Sequence, residues 1–265
     1  MNNIAIANET IAITAAGFYE LGGRRIDLPK ADFTAVEAWS PEKGAALVAA
    51  TAIPESPPCG ISVTTEDSFA AARRFEHPLV MNFANAHHAG GGFRLGATAQ
   101  EEALCRCSTL YASIHSANAR EMYHWNNTHL SAVESDYMLY SPNVCVFRDP
   151  ACRLADAPFS VSVATVPAPN RYGAALFASR KTIAETMTRR IRILLAIAAR
   201  HGHRNLILGA WGCGAFGNRP GDVAACFRQV LVTERFGRLF DHACFAIYGP
   251  ADAPNHQAFQ SAFPA

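Results

Sequence analysis

The sequence predicts a three-layer α/β fold, and three observations carry the prediction. Short, mostly apolar runs at residues 61–65, 79–83, 137–140, 144–147, 159–166, 206–208 and 243–248 have the length and content of strands covered on both faces. Helical periodicity at residues 180–200 and 222–236 alternates with the last of these runs. Residues 61–83 read strand, helix, strand, with Asp67 as the cap of a helix over 68–75, so a βαβ unit is expected there.

Composition bounds what such a fold can do. A chain of 265 residues that is 50% hydrophobic can bury a substantial core without disulfides or metals. The apolar run at 191–199 is interrupted by Arg192 and ends at Arg200, well short of the ~20 residues that a membrane helix needs. The first residues lack a basic segment followed by an apolar one, so no secretory signal is read and a cytoplasmic protein is expected. The eight cysteines are scattered, with no C-x-x-C pair and no clustered ligand spacing, which predicts reduced thiols and no metal. Twenty-three basic against 22 acidic side chains give a net charge of +1, too little for a global field that would recruit DNA. Sequence-specific nucleic-acid binding is therefore not expected, and an anionic ligand must be held by a local site.

Along the chain, Ile4, Ala7, Ile11 and Ala15 recur at helical spacing, and Gly22-Gly23 marks a turn between two short extended pieces. Pro54, Pro57 and Pro58 resemble a linker. Residues 1–58 are accordingly expected to form an accessory or cap region packed on a catalytic domain at 59–265.

The first chemical constellation follows the strand at 79–83. Three glycines, Gly90-Gly91-Gly92, carry a high backbone entropy cost and offer no side chain to pack, which points to a loop that approaches something closely. A helix then begins near Thr98, with Ala103, Leu104, Cys107, Leu110, Tyr111 and Ile114 on its apolar face. Thr98-Ala99-Gln100-Glu101 has the form of a capping box, a purely structural duty for Glu101. Glu102 then sits in the first turn, where a negative charge gains roughly 0.3–1 kcal/mol from the helix dipole. Glycine loop, polar gap and paired carboxylates all fall at the carboxyl end of one strand, where open α/β sheets bind ligands.

The second constellation follows the strand at 206–208. Gly212-Cys213-Gly214-Ala215-Phe216-Gly217 leads through Pro220-Gly221-Asp222 into a helix, and free amides with a helix N-terminus make an anion site. The glycines also satisfy G-x-G-x-x-G. A dinucleotide site nevertheless fits poorly, because residues 218–221 intervene before the helix and no acidic residue ends the next strand. No G-K-[ST] follows, which excludes a P-loop.

With these residues in view, a resemblance becomes specific. Gly90-Gly91-Gly92, seven residues, then Gln100-Glu101-Glu102 resembles the GGG-x(6–8)-QEE signature of poly(ADP-ribose) glycohydrolases, and Phe83-Ala84-Asn85 is similar to their F-A-N segment. The run from Gly212 to Gly217 is similar to the bacterial branch. The resemblance implies a macrodomain-like fold with a mixed sheet and hydrolysis of ribose–ribose bonds in poly(ADP-ribose). It implies catalysis by Glu102 with Glu101, and contacts to the released ribose by Glu101 and Asn85. It also implies substrate binding by Gln100, by Gly90, Gly91 and Gly92, and by Gly212, Cys213, Gly214, Ala215, Phe216 and Gly217, with the glycines facing a diphosphate and Phe216 packing on the terminal ribose. ADP-ribose and ADP-ribosylated proteins are the implied partners, with no cofactor, and a monomer is expected.

Such chemistry is consistent with one carboxyl acting first as acid and then as base. A helix N-terminus favours the ionised form, so the site must offset the dipole, and a neighbouring Glu101 charge, the diphosphate and exclusion of water are the expected means. Two other readings stay open: a hydrolase of ADP-ribose attached singly to protein, and a non-catalytic ADP-ribose reader, for which the glutamates would be dispensable.

Overall fold

The computed structural model describes residues 2–264. The chain opens with helix α1 (Asn3–Ala16), whose first amides are capped by the Asn2 side chain. The hairpin of β1 (Phe18–Leu21) and β2 (Arg24–Asp27) follows, turning at Gly22-Gly23 as expected. Next come β3 (Glu37–Trp39), α2 (Pro41–Ala50) and β4 (Gly60–Thr64). Asp67 caps the short helix α3 (Ser68–Ala72) through the Phe69 and Ala70 amides, and β5 (Leu79–Ala84) then runs buried into the centre of the sheet.

After β5 the chain makes a glycine-rich excursion and enters α4 (Gln100–Cys107), α5 (Leu110–Ile114) and α6 (Arg120–Thr128). The remainder alternates between β6 (Met138–Arg148), β7 (Leu154–Pro167), α7 (Arg180–Arg200), β8 (Asn205–Leu208), α8 (Pro220–Arg228), β9 (His242–Ala246) and α9 (Pro254–Ala262).

Seven strands form one mixed sheet in the order β3-β6-β7-β5-β8-β9-β4. The pairs β3–β6 and β6–β7 are antiparallel, and those from β7 to β4 are parallel. Alternation along β5 shows how both faces are filled. Leu79 and Met81 join a core that includes Ile193 and Leu194 of α7, Phe227 of α8 and Phe259 of α9. Val80 joins the opposite core, with Ala7 of α1, Phe69 of α3, Leu104 of α4 and Met122 of α6. The result is a helix–sheet–helix sandwich.

Several expectations change in detail. The strands at 61–65 and 79–83 are parallel members of one sheet, but β8 and β9 lie between them. Runs 137–140 and 144–147 are one strand, because the chain passes Pro142 and Asn143 as a bulge with Asn143 at φ 52°. The helix expected over 222–236 ends as α8 at Arg228, then widens into a π-type turn at Gln229–Thr233 before a 3-10 turn at Phe236–Leu239. Ala7 of α1 and Val36 join the core, and Glu37–Trp39 supply β3, an edge strand of the main sheet.

Candidate active site

Strands β5 and β8 are adjacent and parallel, so both glycine loops leave the sheet side by side at its carboxyl edge. Between them opens a cavity of about 670 Å³ lined by Asn85, Gln100, Glu101, Glu102, Gly212, Gly214, Ala215 and Phe216, among others.

The start of α4 is built from tertiary contacts in place of the expected capping box. The helix begins at Gln100, its cap residue is Ala99, and no side chain caps it. Glu101 instead turns toward β5: its Oε2 accepts the Asn85 amide at 2.7 Å and its Oε1 accepts Asn82 Nδ2 at 3.2 Å. Asn82 is itself buried in β5 and also donates to Thr165 Oγ1 on β7. Gln100 accepts the Phe83 amide at 2.9 Å and donates to the Met81 carbonyl at 2.8 Å and to Ser68 Oγ at 3.1 Å. Thus Gln100, expected among the substrate contacts, lines the cavity while its amide group holds the helix to the strand.

Glu102 is 7% exposed, and its Oε1 accepts the Gly92 amide at 2.9 Å. Its Oε2 is buried and has no hydrogen-bond partner among the described residues. The glycine triplet makes this approach possible. Gly91 has φ 53°, and a Cβ there would lie 2.5 Å from Glu102 Oε1. Asn85 Oδ1 accepts the amides of His87 and His88 and folds the start of the loop, and the residue borders the cavity.

Burial pushes the Glu101 carboxyl up to about 8, against the pull of the Asn85 and Asn82 hydrogen bonds. Below that pH Glu101 keeps its proton. The Glu102 carboxylate beside it adds to the upward shift of Glu101.

The second loop is pinned from below. Trp211 is fully buried and donates Nε1–H to the Val166 carbonyl at 3.0 Å. Asn218 donates to the carbonyls of Pro169 and Gly212. A Cβ at Gly212, which has φ 71°, would meet Asn218 Nδ2 at 2.6 Å, so the loop can turn this tightly only with glycine there. Nothing lies within 4 Å of a Cβ built at Gly214, and Phe216 borders the cavity with its carbonyl held by the Arg171 amide. Burial pushes the Cys213 thiol up to about 12. Gly90, Gly91, Gly92, Cys213 and Gly217 shape the two loops without lining the cavity themselves.

Sequence reasoning missed Asn82. Its signal was present: one polar residue inside the apolar run Leu79-Val80-Met81-Asn82-Phe83, which demands a buried partner. The cavity also reaches Arg106, Arg148 and Tyr248, for which no local pattern spoke.

Paired, buried carboxylates bordering a cleft between two glycine loops, on a mixed three-layer sheet, fit a glycosidic-bond hydrolase with a macrodomain-like fold. The family description "Microbial-type PARG, catalytic domain" matches residues 7–149. The solved poly(ADP-ribose) glycohydrolase (PARG) of Thermomonospora curvata is 39% identical over 98% of this chain and 99% of its own, with a TM-score of 0.92. The same enzyme bound to the inhibitor ADP-HPD superposes with a TM-score of 0.89 over the same shares, also at 39% identity. The Deinococcus radiodurans enzyme in complex with ADP-ribose is 38% identical over 89% of this chain and 98% of its own, with a TM-score of 0.81. A search of curated proteins returns no match. The chain belongs to the microbial-type poly(ADP-ribose) glycohydrolase family. It is a hydrolase acting on poly(ADP-ribose). Among the described residues no helix is long and apolar enough to cross a membrane.

Proposed function

We propose that Glu102 is the general acid and then the general base in cleavage of the ribose–ribose bond, with release of ADP-ribose. The observation that carries this is the unequal use of its two oxygens. Oε1 is fixed by the Gly92 amide, while Oε2 has no partner among the described residues and belongs to a carboxyl that borders the cavity. One oxygen is thus held in place, and the other keeps unused hydrogen-bonding capacity.

The protonated carboxyl gives its proton to the departing ribose oxygen as an oxocarbenium-like sugar forms, and the resulting carboxylate takes a proton from the attacking water. Glu101 and Asn85 hold the hydroxyls of the ribose being released. Glu101 does so while still anchored to β5, since each of its oxygens has lone-pair capacity beyond the bond it already accepts. Amides of the loop at 209–217 face the diphosphate, and Phe216 packs on the terminal ribose. ADP-ribosylated proteins carry the polymer to the site, and the chain acts as a monomer. Residues 1–58 serve as an accessory region that braces α4 through α1, where Thr10 Oγ1 donates to the Arg106 carbonyl at 2.7 Å.

Wild type and E102Q are incubated with labelled poly(ADP-ribose) and with mono-ADP-ribosylated protein, and products are resolved by length. E102Q is expected to lose a factor of ~10²–10⁴ in turnover, the range for removal of a general acid–base, while binding ADP-ribose as wild type does. Near-wild-type turnover by E102Q would overturn the assignment. Cleavage of the mono-ADP-ribosyl substrate alone would move the activity to single modifications, and binding without product in wild type would identify a reader.

A further inference from the structure

The same cavity has a second chemical feature at the far end of α4. Cys107 is the last residue of that helix, and Cys152 lies in the turn between β6 and β7; their sulfurs are 3.9 Å apart and both border the cavity. Cys107 is buried, and Cys152 is partly exposed. The Cys107 sulfur also lies 3.5 Å from the Asp149 carbonyl oxygen.

The turn that presents Cys152 is tightly held in an uncommon conformation. Cys152 has φ 62°, a left-handed backbone rarely adopted by a residue with a side chain. Its amide donates to the Asp149 carbonyl at 2.8 Å, and its carbonyl accepts Arg148 Nη1 at 2.8 Å. Arg148 is itself buried and tied to Glu9 and Thr10 of α1. Such strain persists only where surrounding structure over-determines it, and it clusters at functional positions.

We propose that Cys107 and Cys152 form a peroxide-reactive dithiol site, in which Cys152 is the attacking sulfur and Cys107 the resolving one. Hydrogen bonding from Cys107 and the neighbouring Arg106 and Arg148 guanidinium groups hold the Cys152 thiol below the usual range. By contrast, burial pushes up the thiols of Cys59, Cys105, Cys145, Cys213 and Cys226.

In the first step the Cys152 thiolate attacks a hydroperoxide oxygen. The S–O bond forms, the O–O bond breaks and hydroxide (or alkoxide) leaves, giving the sulfenic acid. In the second step the Cys107 sulfur attacks the Cys152 sulfur. The S–S bond forms, the S–O bond breaks, and the departing hydroxide takes the Cys107 proton as water. Two electrons pass from the thiols to the peroxide. The sulfurs close from 3.9 Å to the ~2.05 Å of a disulfide, and the product straps the end of α4 to the β6–β7 turn.

The test is oxidation of the folded protein with hydrogen peroxide, followed by alkylation and peptide mass mapping. Wild type is expected to lose the mass of two hydrogens, yield one cross-linked peptide joining Cys107 to Cys152, and return to the dithiol with dithiothreitol. C107S is expected to gain one oxygen at Cys152, trapped by dimedone. C152S, altered only on the turn, leaves Cys107 unreactive. Preferential oxidation of another cysteine in wild type, or equal reactivity of Cys107 in C152S, would refute the site. C152S decides the matter even if C107S fails to fold. None of these readouts depends on hydrolysis.

Discussion

Replacing Gly91 with alanine tests the link between loop geometry and catalysis. The added methyl carbon would sit 2.5 Å from Glu102 Oε1, where ordinary contact begins at 3.4 Å, so the carboxylate must retreat by about 0.9 Å or the loop must open. Either response breaks the Gly92 hydrogen bond that fixes Oε1. A misplacement of ~1 Å can cost ~10²-fold in rate, equivalent to about 2.7 kcal/mol of transition-state stabilisation. Stability should fall by less, about 1–2 kcal/mol for an alanine at the φ of 53°. Gly23 supplies the control, since it has φ 74° and nothing within 4 Å of a built Cβ. G23A is expected to lose comparable stability in urea unfolding and no turnover, whereas G91A loses ~10²-fold in kcat on labelled polymer. If G91A is destabilised like G23A yet keeps more than about a third of wild-type kcat, the placement of Glu102 by the loop is not what catalysis needs.

Three further outcomes are expected. Between Glu101's ordinary value of 4.5 and its native value of about 8, the unfolded chain has released a proton that the folded chain still holds, so stability falls as pH rises through that window. Urea unfolding at acidic and mildly alkaline pH should show wild type losing on the order of a few kcal/mol more than E101Q, and equal losses would contradict a buried neutral Glu101. D136A leaves the fully buried Arg190 guanidinium without its carboxylate, and should cost about 3–5 kcal/mol in the same assay; a change under about 1 kcal/mol would show that the Pro167 and Val133 carbonyls suffice. F216A should lower kcat by roughly tenfold or more through poorer positioning of the reacting sugar, and unchanged kinetics would remove Phe216 from the site.

Legibility in the sequence followed the source of each element's stability. β5, β8 and α7 were readable because apolar content and periodicity are local properties. β3 was not, since its three residues become a strand only by pairing with Met138, Leu139 and Tyr140, about a hundred positions away. The nine-residue helices α6 and α9 are polar overall and bury only Met122 with Asn126 and His256 with Phe259, so neither offers an apolar run to stand out. At the site, the glycine triplet and both glutamates were readable as a motif, but their division of labour was not. Thr98 and Glu101 have the letters of a capping box, and tertiary hydrogen bonds from Asn82 and Asn85 override it. The long apolar face expected through Ile114 likewise breaks at Ser108, which forms a bridge to Val146 and separates α4 from α5.

The bonds from Gln100 and Glu101 back to Met81, Phe83 and Asn85 have a consequence for how freely this chain can change. They bypass the intervening loop, so the carboxylate pair takes its register from the sheet and not from the length of chain that leads to it. The loop's outer turn, where Leu95 is 84% exposed, is therefore a place to lengthen or graft without resetting the chemistry, so long as the Gly92 amide stays put. Change at that apex can accumulate while the placement of the carboxylate pair is inherited intact.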